Sequence, residues 1–560
     1  MENKPVARTL RLLSQLMELH EVNPFKIKSI ANAAFKVDKL PFKIAGKSVE
    51  ELEKIDGIGK SIAAKVAELL ATGTMTELQE LLDLTPPGIV EMLGIKGIGP
   101  KKIGIIWHDL GIENVGELYY ACNENRLVEA KGFGLKTQEE IRKVIEFKMT
   151  SSGKFLYAQV EPIAAHLEKH LEKLFPKGNI TICGEFRRRL DIITGLCFVL
   201  NSDPDTAIAA LQDNELLSNT TVVGNTITGD TEHGVKVSIV VEDTDYYKQV
   251  FIQTGDDEHV KAVLAMINEP SFKPESEEAI YAKANLQYIE PELREGADII
   301  AKAAKKELPE LIAFTDLKGT LHNHSTWSDG VNSIEEMALF CRDELKLEYL
   351  GMCDHSKSAF YAKGLSIEQV LQQHEEIDSL NKKLDGFKIF KGIESDILND
   401  GSLDYPDEIL QRFDFIVASV HSNLKMTEDK ATARLIKAIE NPYTTILGHP
   451  TGRLLLSRNG YPIDHKKVID ACAANNVVIE INANPLRLDM DWRWHQYALD
   501  KGCWLSINPD AHRVEGFLDM HYGTLVARKG GLYKERCLNA LSAEQINRAF
   551  ESRKAKIATA

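Results

Sequence analysis

No stretch of this 560-residue chain approaches the roughly 18 consecutive apolar residues of a membrane-spanning helix, so none is expected to cross a bilayer. Its start, MENKPVARTL, lacks the apolar centre of a secretion signal. Cysteine is sparse and scattered, at Cys122, Cys183, Cys197, Cys341, Cys353, Cys472, Cys503 and Cys537. No pair forms CxxC, which argues against zinc knuckles and a disulfide framework and favours a reducing cytoplasm. Low-complexity tracts and long flexible linkers are missing too. Nor is there an excess of positive charge. The formal net charge is −16, which argues against an indiscriminate polyanion binder. The first 150 residues carry 21 Lys+Arg and 21 Asp+Glu, so the whole deficit lies beyond them. With 44% hydrophobic residues the chain can build real cores, and its length suggests about three or four domains.

What is present is a series of His, Asp and Glu residues over the last 240 or so positions. GTLHNHSTWSDG supplies His322, His324 and Asp329. GMCDHS supplies His355, KGIESD Glu394, ASVHS His421 and LGHP His449. Asp510 and His512 close the series as DxH. Several follow short apolar runs such as DFIVASV, YTTIL and CWLSINP. That spacing puts polar ligands at strand ends, where an α/β barrel builds its site. One HxH alone would be weak, since a surface pair looks the same; the repetition carries the reading. In order and local context these motifs resemble the PHP (polymerase and histidinol phosphatase) family of phosphoesterases. The resemblance implies three divalent ions, Mn²⁺ or Zn²⁺, both suited to imidazole and carboxylate donors. It implies one ion on His322, His324 and Asp510, a second bridged by Glu394 and completed by His421 and His449, and a third on Asp329, His355 and His512. Glu394, Asp510 and His324 are the expected catalytic groups. Lys357, Arg453, Asn484 and Arg487 lie in neighbouring segments as candidate phosphate contacts, with solvated loop charges as the equal alternative.

The first 150 residues have a helical apolar period broken by three glycine hairpins. These are IDGIGK with Gly57, Gly59 and Lys60; IKGIGPKK with Gly97, Gly99, Lys101 and Lys102; and the weaker KGFGLK at 131–136. The h-x-G-h-G pattern is that of a helix-hairpin-helix, which brings backbone N–H groups and a helix N-terminus to a DNA phosphate without reading sequence. NPFKIKSIANAAFKV and KIDGIGKSIAAKVAELLATG resemble the amino-terminal domains of family X DNA polymerases, the DNA polymerase beta group. Some members form a Schiff base through a lysine that matches Lys65, a role that needs a deprotonated amine. A lysine contacting phosphate is the plainer alternative.

NITICGEFRRRLDIITGLCFVLNSD resembles the nucleotidyltransferase palm of the same family, where Gly-Ser-x-Arg-Arg precedes Gly-Asp-x-Asp and a later strand supplies a third Asp. Here Glu185 follows Gly184, Leu196 and Phe198 stand where the two carboxylates belong, and Ser238 is the expected counterpart of the third. Apolar side chains cannot hold Mg²⁺, so the expectation is a palm without polymerase activity. Arg187 and Arg188 survive as candidate DNA contacts, with surface solvation as the alternative.

The expected architecture is multidomain α+β. It comprises a helix-hairpin-helix lyase-like domain at 1–85, a fingers-like one at 86–150, a degenerate palm at 151–245, a thumb at 246–315, and a distorted (β/α)7-type PHP barrel at 316–560. The expected function is DNA repair by metal-dependent phosphodiester hydrolysis, as a 3′→5′ exonuclease or abasic-site endonuclease. The expected partner is gapped, nicked or abasic duplex, bound without sequence preference by a monomer on the nucleoid. An active gap-filling polymerase with an editing nuclease, a DNA-bound scaffold and a small-molecule phosphatase are the alternatives.

Overall fold

A computed structural model of the chain describes residues 2–559 apart from 96, 129, 151–152, 213, 215 and 270, with the backbone alone at 147–150 and 558–559. Lys96 of the second hairpin therefore lies outside the described residues. The chain divides into two compact units, Met1–Phe147 and Lys148–Ala560.

The first unit is helical. Asn3–Leu19 and Pro24–Lys39 form an antiparallel pair whose apolar residues recur at three and four, so Val6, Leu10, Leu13 and Met17 meet Ile30, Ala34 and Val37 in one buried seam. The second helix starts sharply because Pro24 occupies its first turn and the Asn23 side chain accepts the Phe25 N–H. Lys60–Thr72 and Pro100–Gly104 each begin just after a glycine hairpin.

The second unit gathers the palm, thumb and barrel segments. The palm is a mixed sheet of β1 (Ile180–Cys183), β2 (Gly195–Leu200), β3 (Ser218–Val223), β4 (Thr226–Asp230) and β5 (Lys236–Val241), in the spatial order β1-β2-β5-β4-β3. β2 and β5 run parallel, with Leu196 beside Val237, Cys197 beside Ser238 and Phe198 beside Ile239. Alternation then decides which residues share a face. Leu196, Phe198, Val237 and Ile239 all enter the core beneath the helix Tyr157–Leu174, whereas Cys197 and Ser238 share the opposite face. Ser238 therefore shares its face with Cys197, on the cleft that Gly184 and Glu185 also line, whereas Leu196 and Phe198 share theirs with Val237 and Ile239. The thumb packs short helices around Phe251, Tyr281 and Ile289, where Arg294 is fully buried and ion-paired with Glu277.

The barrel is a seven-stranded all-parallel sheet: β6 (Gly319–Thr320), β7 (Tyr349–Met352), β8 (Lys388–Asp396), β9 (Phe415–Ser419), β10 (Ile446–Leu447), β11 (Val478–Asn482) and β12 (Leu505–Asn508), adjacent in chain order. A bridge between Asn323 and Ala511, with the His324 N–H donating to the Ala511 carbonyl at 2.8 Å, brings the two edges together. Strands such as Tyr349–Met352 and Phe415–Ser419 are buried throughout, as expected when helices cover the outside. The covering helices Ile334–Asp343 and Ile367–Lys383 both start in capping boxes, Ser333 with Glu336 and Ser366 with Gln369.

Barrel, thumb and palm are joined by buried polar contacts. At the end of the helix Met520–Lys529, the Lys529 ammonium donates to Glu295 at 2.7 Å and to the Arg188 carbonyl at 3.0 Å, and lies 4.3 Å from the centre of the Trp492 ring. Burial lowers its pKa from 10.5 to about 8, with Arg188 adding to the effect and Glu295 opposing it. Between these two values the folded protein binds fewer protons than the unfolded chain, so this residue makes stability rise with pH across that window, by up to about 1.4 kcal/mol per pH unit. Denaturant midpoints measured from about pH 7.5 to 10 are expected to climb more in the wild type than in Lys529→Met. Parallel curves would show that the ammonium is solvated.

Candidate metal centre and nucleic-acid interface

All nine ligands expected from the sequence converge at the carboxyl end of the barrel. His322 and His324 follow β6, His355 follows β7, Glu394 lies on β8, His421 follows β9, His449 follows β10, and Asp510 and His512 follow β12. The strand alternation of HxH turns both imidazoles inward, with ring centres 5.2 Å apart. Glu394 is the hub. Its Oε1 lies 3.0 Å from His449 Nε2, 3.1 Å from His421 Nε2 and 3.2 Å from His322 Nε2, and its Oε2 lies 2.9 Å from His355 Nδ1. Asp510 lies 3.0 Å from His324 Nε2, and Asp329 lies 3.3 Å from His512 Nε2 and 3.5 Å from His355 Nε2.

Ligand atoms within 4.8 Å of one another form four overlapping groups. His322, His324 and Asp510 gather as the first expected set, and His324 joins Asp329, His355 and His512 in another. Glu394 does more than the single bridge expected of it: it groups with His322 and His449 on one side and with His355 and His421 on the other. Among the described residues no comparable group of three occurs elsewhere.

The donor set fits divalent cations. His322 Nε2, both ring nitrogens of His324 and Glu394 Oε2 are buried without a hydrogen-bond partner, a state that folded proteins normally avoid. Burial works against every charge here; it lowers the His324 pKa, with His512 and His355 adding to it, but for the groups that follow mutual attraction prevails. Glu480, Asp510 and Glu394 hold the His322 pKa well above the usual imidazole value, and His421 is pushed up to about 9 by Glu394 and Asp396 despite its burial. Glu394, Asp329 and Asp510 are held well below the carboxylate range by the imidazoles around them, again against burial. Asp510 adopts φ 55° and His449 φ 21°, so two ligands hold positive-φ backbone. Gly448 lets His449 approach, because a Cβ there would lie 2.3 Å from Ser419 Oγ.

Three carboxylates that were not singled out as functional support the ligands. Glu480, projecting inward from β11, accepts from His322 Nδ1 at 2.7 Å and from the His449 N–H at 2.8 Å. Asp396, two residues beyond Glu394, holds His421 Nδ1 at 2.5 Å. Asp354 accepts the N–H groups of Ser325 and Ser328 and the amide of Gln373, clamping the loop that carries Asp329. The first two fix tautomer and ring angle in the manner of carboxylate–histidine–metal triads. Their sequence signal was a carboxylate inside an otherwise apolar strand, in VIEIN and GIESD.

Of the candidate phosphate contacts, Lys357 is exposed beside His355 and Arg487 is buried. Arg453 departs from expectation. Its guanidinium is held by Asp491 at 2.6 Å, Asp191 at 3.3 Å and the carbonyls of Arg487 and Leu488, making it a clamp between barrel and palm. Arg187 and Arg188 also turn to partners within the protein. Arg187 pairs with Glu277 and Thr254, and Arg188 with Glu295 and the Thr254 carbonyl, fastening the thumb to the palm. Glu185 accepts from the Thr194 N–H and hydroxyl at the edge of a cleft of about 630 Å³.

In the first unit, Gly57 and Gly97 take φ 84° and 100°, which only glycine adopts freely, and Gly59 and Gly99 cap the following helices without a side chain. Lys60 and Lys101 are exposed, and Lys102 lies over the Phe133 ring of the third hairpin. The first hairpin borders a groove of about 730 Å³ lined by Phe25, Lys26, Ser29, Lys60 and Ser61. Lys65 pairs with Glu77 at 2.5 Å, and Lys26 contacts the same carboxylate. Lys65 thus has an anionic partner, with the Lys26 ammonium as a cationic neighbour across the same carboxylate.

Comparison with known proteins agrees with this layout. A family model described as a helix-hairpin-helix domain matches residues 1–75, and one described as a SAM-like helix-hairpin-helix tandem matches residues 89–146. The DNA polymerase/3′-5′ exonuclease PolX of Bacillus subtilis is 31% identical over 571 aligned positions, covering 98% of this chain and 99% of that protein. A probable phosphatase of Caldanaerobacter subterraneus subsp. tengcongensis is 38% identical over 105 residues, 18% of this chain and 39% of the relative. One of Caldicellulosiruptor bescii is 32% identical over 162 residues, 27% of this chain and 59% of the relative. The chain spans under two thirds of either phosphatase.

Because Glu480 orients His322 from outside the ligand set, Glu480→Gln is expected to weaken Mn²⁺ binding by about 10- to 100-fold in a calorimetric titration. Unchanged affinity would show that His322 needs no such partner.

Proposed function

This chain belongs to the family of DNA polymerase/3′-5′ exonucleases that includes Bacillus subtilis PolX, and we propose that it works as a metal-dependent DNA nuclease whose palm no longer polymerises. One contrast carries the reading. All nine barrel ligands are present and converge, while Leu196 and Phe198 fill the positions of the two palm carboxylates and are buried in an apolar core. Divalent ions held by the ligand set would supply an activated water, neutralise a phosphodiester and stabilise the leaving oxygen.

The chain's own residues do the rest. His322, His324 and Asp510, Glu394 with His421 and His449, and Asp329 with His355 and His512 hold the ions. Glu480 and Asp396 keep the ring nitrogens aimed. Lys357 is placed to meet a phosphate at the rim. The hairpins at Gly57–Lys60 and Gly97–Lys102 grip duplex backbone through N–H groups and helix N-termini, so binding is independent of sequence and falls steeply with salt. Gapped, nicked or abasic duplex is the substrate class these modules suit, and cleavage from a 3′ end is the favoured mode. The pairing of Lys65 with Glu77 favours a phosphate-binding role for that lysine over lyase chemistry.

The probable phosphatases among the relatives favour one second reading, hydrolysis of a small phosphoester. Both readings are separated by incubating a 5′-labelled gapped duplex with Mn²⁺, with and without dNTPs. The wild type is expected to give a ladder of shortened products and no extension. His324→Ala is expected to lose at least about 100-fold in rate. Extended products would restore the polymerase. Hydrolysis of nucleoside monophosphates without any DNA ladder would favour the phosphatase.

A further inference from the structure

His355 is a ligand whose orientation no outer carboxylate explains. His322 and His421 each turn one ring nitrogen to a carboxylate behind them, Glu480 and Asp396. His355 instead points both nitrogens into the centre, with Nδ1 2.9 Å from Glu394 and Nε2 3.5 Å from Asp329. Neither is left for a supporting carboxylate, so packing has to set the plane of this ring. The rings of His324, His421 and His512 lie 4.3, 5.2 and 6.1 Å from it between centres, and all three are themselves ligands. Among the described residues, the ring that meets His355 from outside the ligand set is Tyr361, at 6.1 Å and an interplanar angle of 63°. Tyr361 meets His421 as well, at 6.4 Å and 71°. The three rings form a triangle of near edge-to-face contacts, and the two imidazoles in it flank Glu394 in one group of candidate ligands.

A ring can hold its neighbours only if it is held itself. Tyr361 is half-buried in the short turn Phe360–Ala362. There the Leu365 N–H donates to the His355 carbonyl at 2.9 Å and the Ala362 N–H to the Ala359 carbonyl at 3.0 Å. Gly364 lets the turn close, because a Cβ there would lie 1.8 Å from the Ser356 carbonyl oxygen. The Ser358 N–H donates to Asp404 at 2.7 Å and its hydroxyl to Asp396 at 2.9 Å, while the Ser356 hydroxyl accepts the Asp396 N–H at 2.9 Å. The turn is thus fastened to the strand that bears Glu394. We infer that Tyr361 is a positioning residue of the metal centre, its ring fixing the plane of His355, and with it that of His421, in the role that a carboxylate plays for other ligands. The inference rests on the ligand reading above. Aromatic rings in this geometry favour an edge against a face, so turning the imidazole about its Cβ–Cγ bond is opposed. The ring alone supplies this; the hydroxyl is not needed.

The test titrates Mn²⁺ into the full chain by calorimetry, for wild type, Tyr361→Phe, Tyr361→Leu and Tyr361→Ala, beside the melting temperatures of the metal-free proteins. Tyr361→Phe keeps the ring and is expected to match wild type. Tyr361→Leu fills much of the same volume without an aromatic ring, and both it and Tyr361→Ala are expected to bind one ion about 10-fold more weakly. The Leu variant is expected to do so at the wild-type melting temperature. A loss in Tyr361→Phe as large as in Tyr361→Ala would assign the effect to the hydroxyl and overturn the inference. Equal affinity in all four proteins would overturn it too, as would a loss that tracks a lowered melting temperature, the mark of ordinary packing. If wild type itself takes up no Mn²⁺, the ligand reading fails, and the nuclease reading with it.

Discussion

The barrel is organised around one electrostatic problem, the convergence of six imidazoles and two further carboxylates upon or around Glu394 in a site whose ligands are almost wholly buried. Burying a charge is costly unless it is paired, and removing one partner of a buried set leaves the others uncompensated. The ligand set therefore holds together as a whole. The same dependence reaches outward: Glu480 is tied to His322 and Asn508, Asp396 to His421 and Ser358, and Asp354 to the loop bearing Asp329. A nearly closed parallel sheet suits this arrangement, since every strand delivers its carboxyl end to one rim and none can slip without moving a ligand or, for the strand that carries Glu480, a ligand's support.

The ligand residues and the barrel were legible in the sequence because both rest on strong local rules. Strands buried on both sides read as apolar runs, and a polar residue after such a run can only stand at an end. The hairpins were legible because their glycines answer a backbone requirement, confirmed by the positive φ of Gly57 and Gly97. What escaped were partnerships. Nothing in ICGEFRRRLD says that Arg187 and Arg188 meet Glu277 and Glu295, about 90 and 107 residues further on. Nothing local marks Arg453 as the mate of Asp191, or Lys65 as the mate of Glu77. A charged side chain looks the same whether it awaits a phosphate or a carboxylate; only the tertiary fold decides. Which residues share a face with Ser238 was not readable for a related reason. The face of a strand follows from its register with a neighbour, and a shift of one residue reverses it.

The palm-like sheet is bound into the same unit as the barrel. Tyr522 and Leu525, on a barrel helix, pack against the palm's apolar core. Lys529 on that helix holds the Arg188 carbonyl and Glu295, Arg528 holds Glu292, and Arg453 reaches Asp191. The arginines that follow the Gly184 turn fasten the thumb-like helices. Replacing Leu196 or Phe198 by a carboxylate would bury an unpaired charge, because both side chains lie in that core. Arg187, Arg188, Arg453, Arg528 and Lys529 are all committed to carboxylates within the protein, so they brace the palm-like sheet and the thumb-like helices against the barrel that gathers the ligand set.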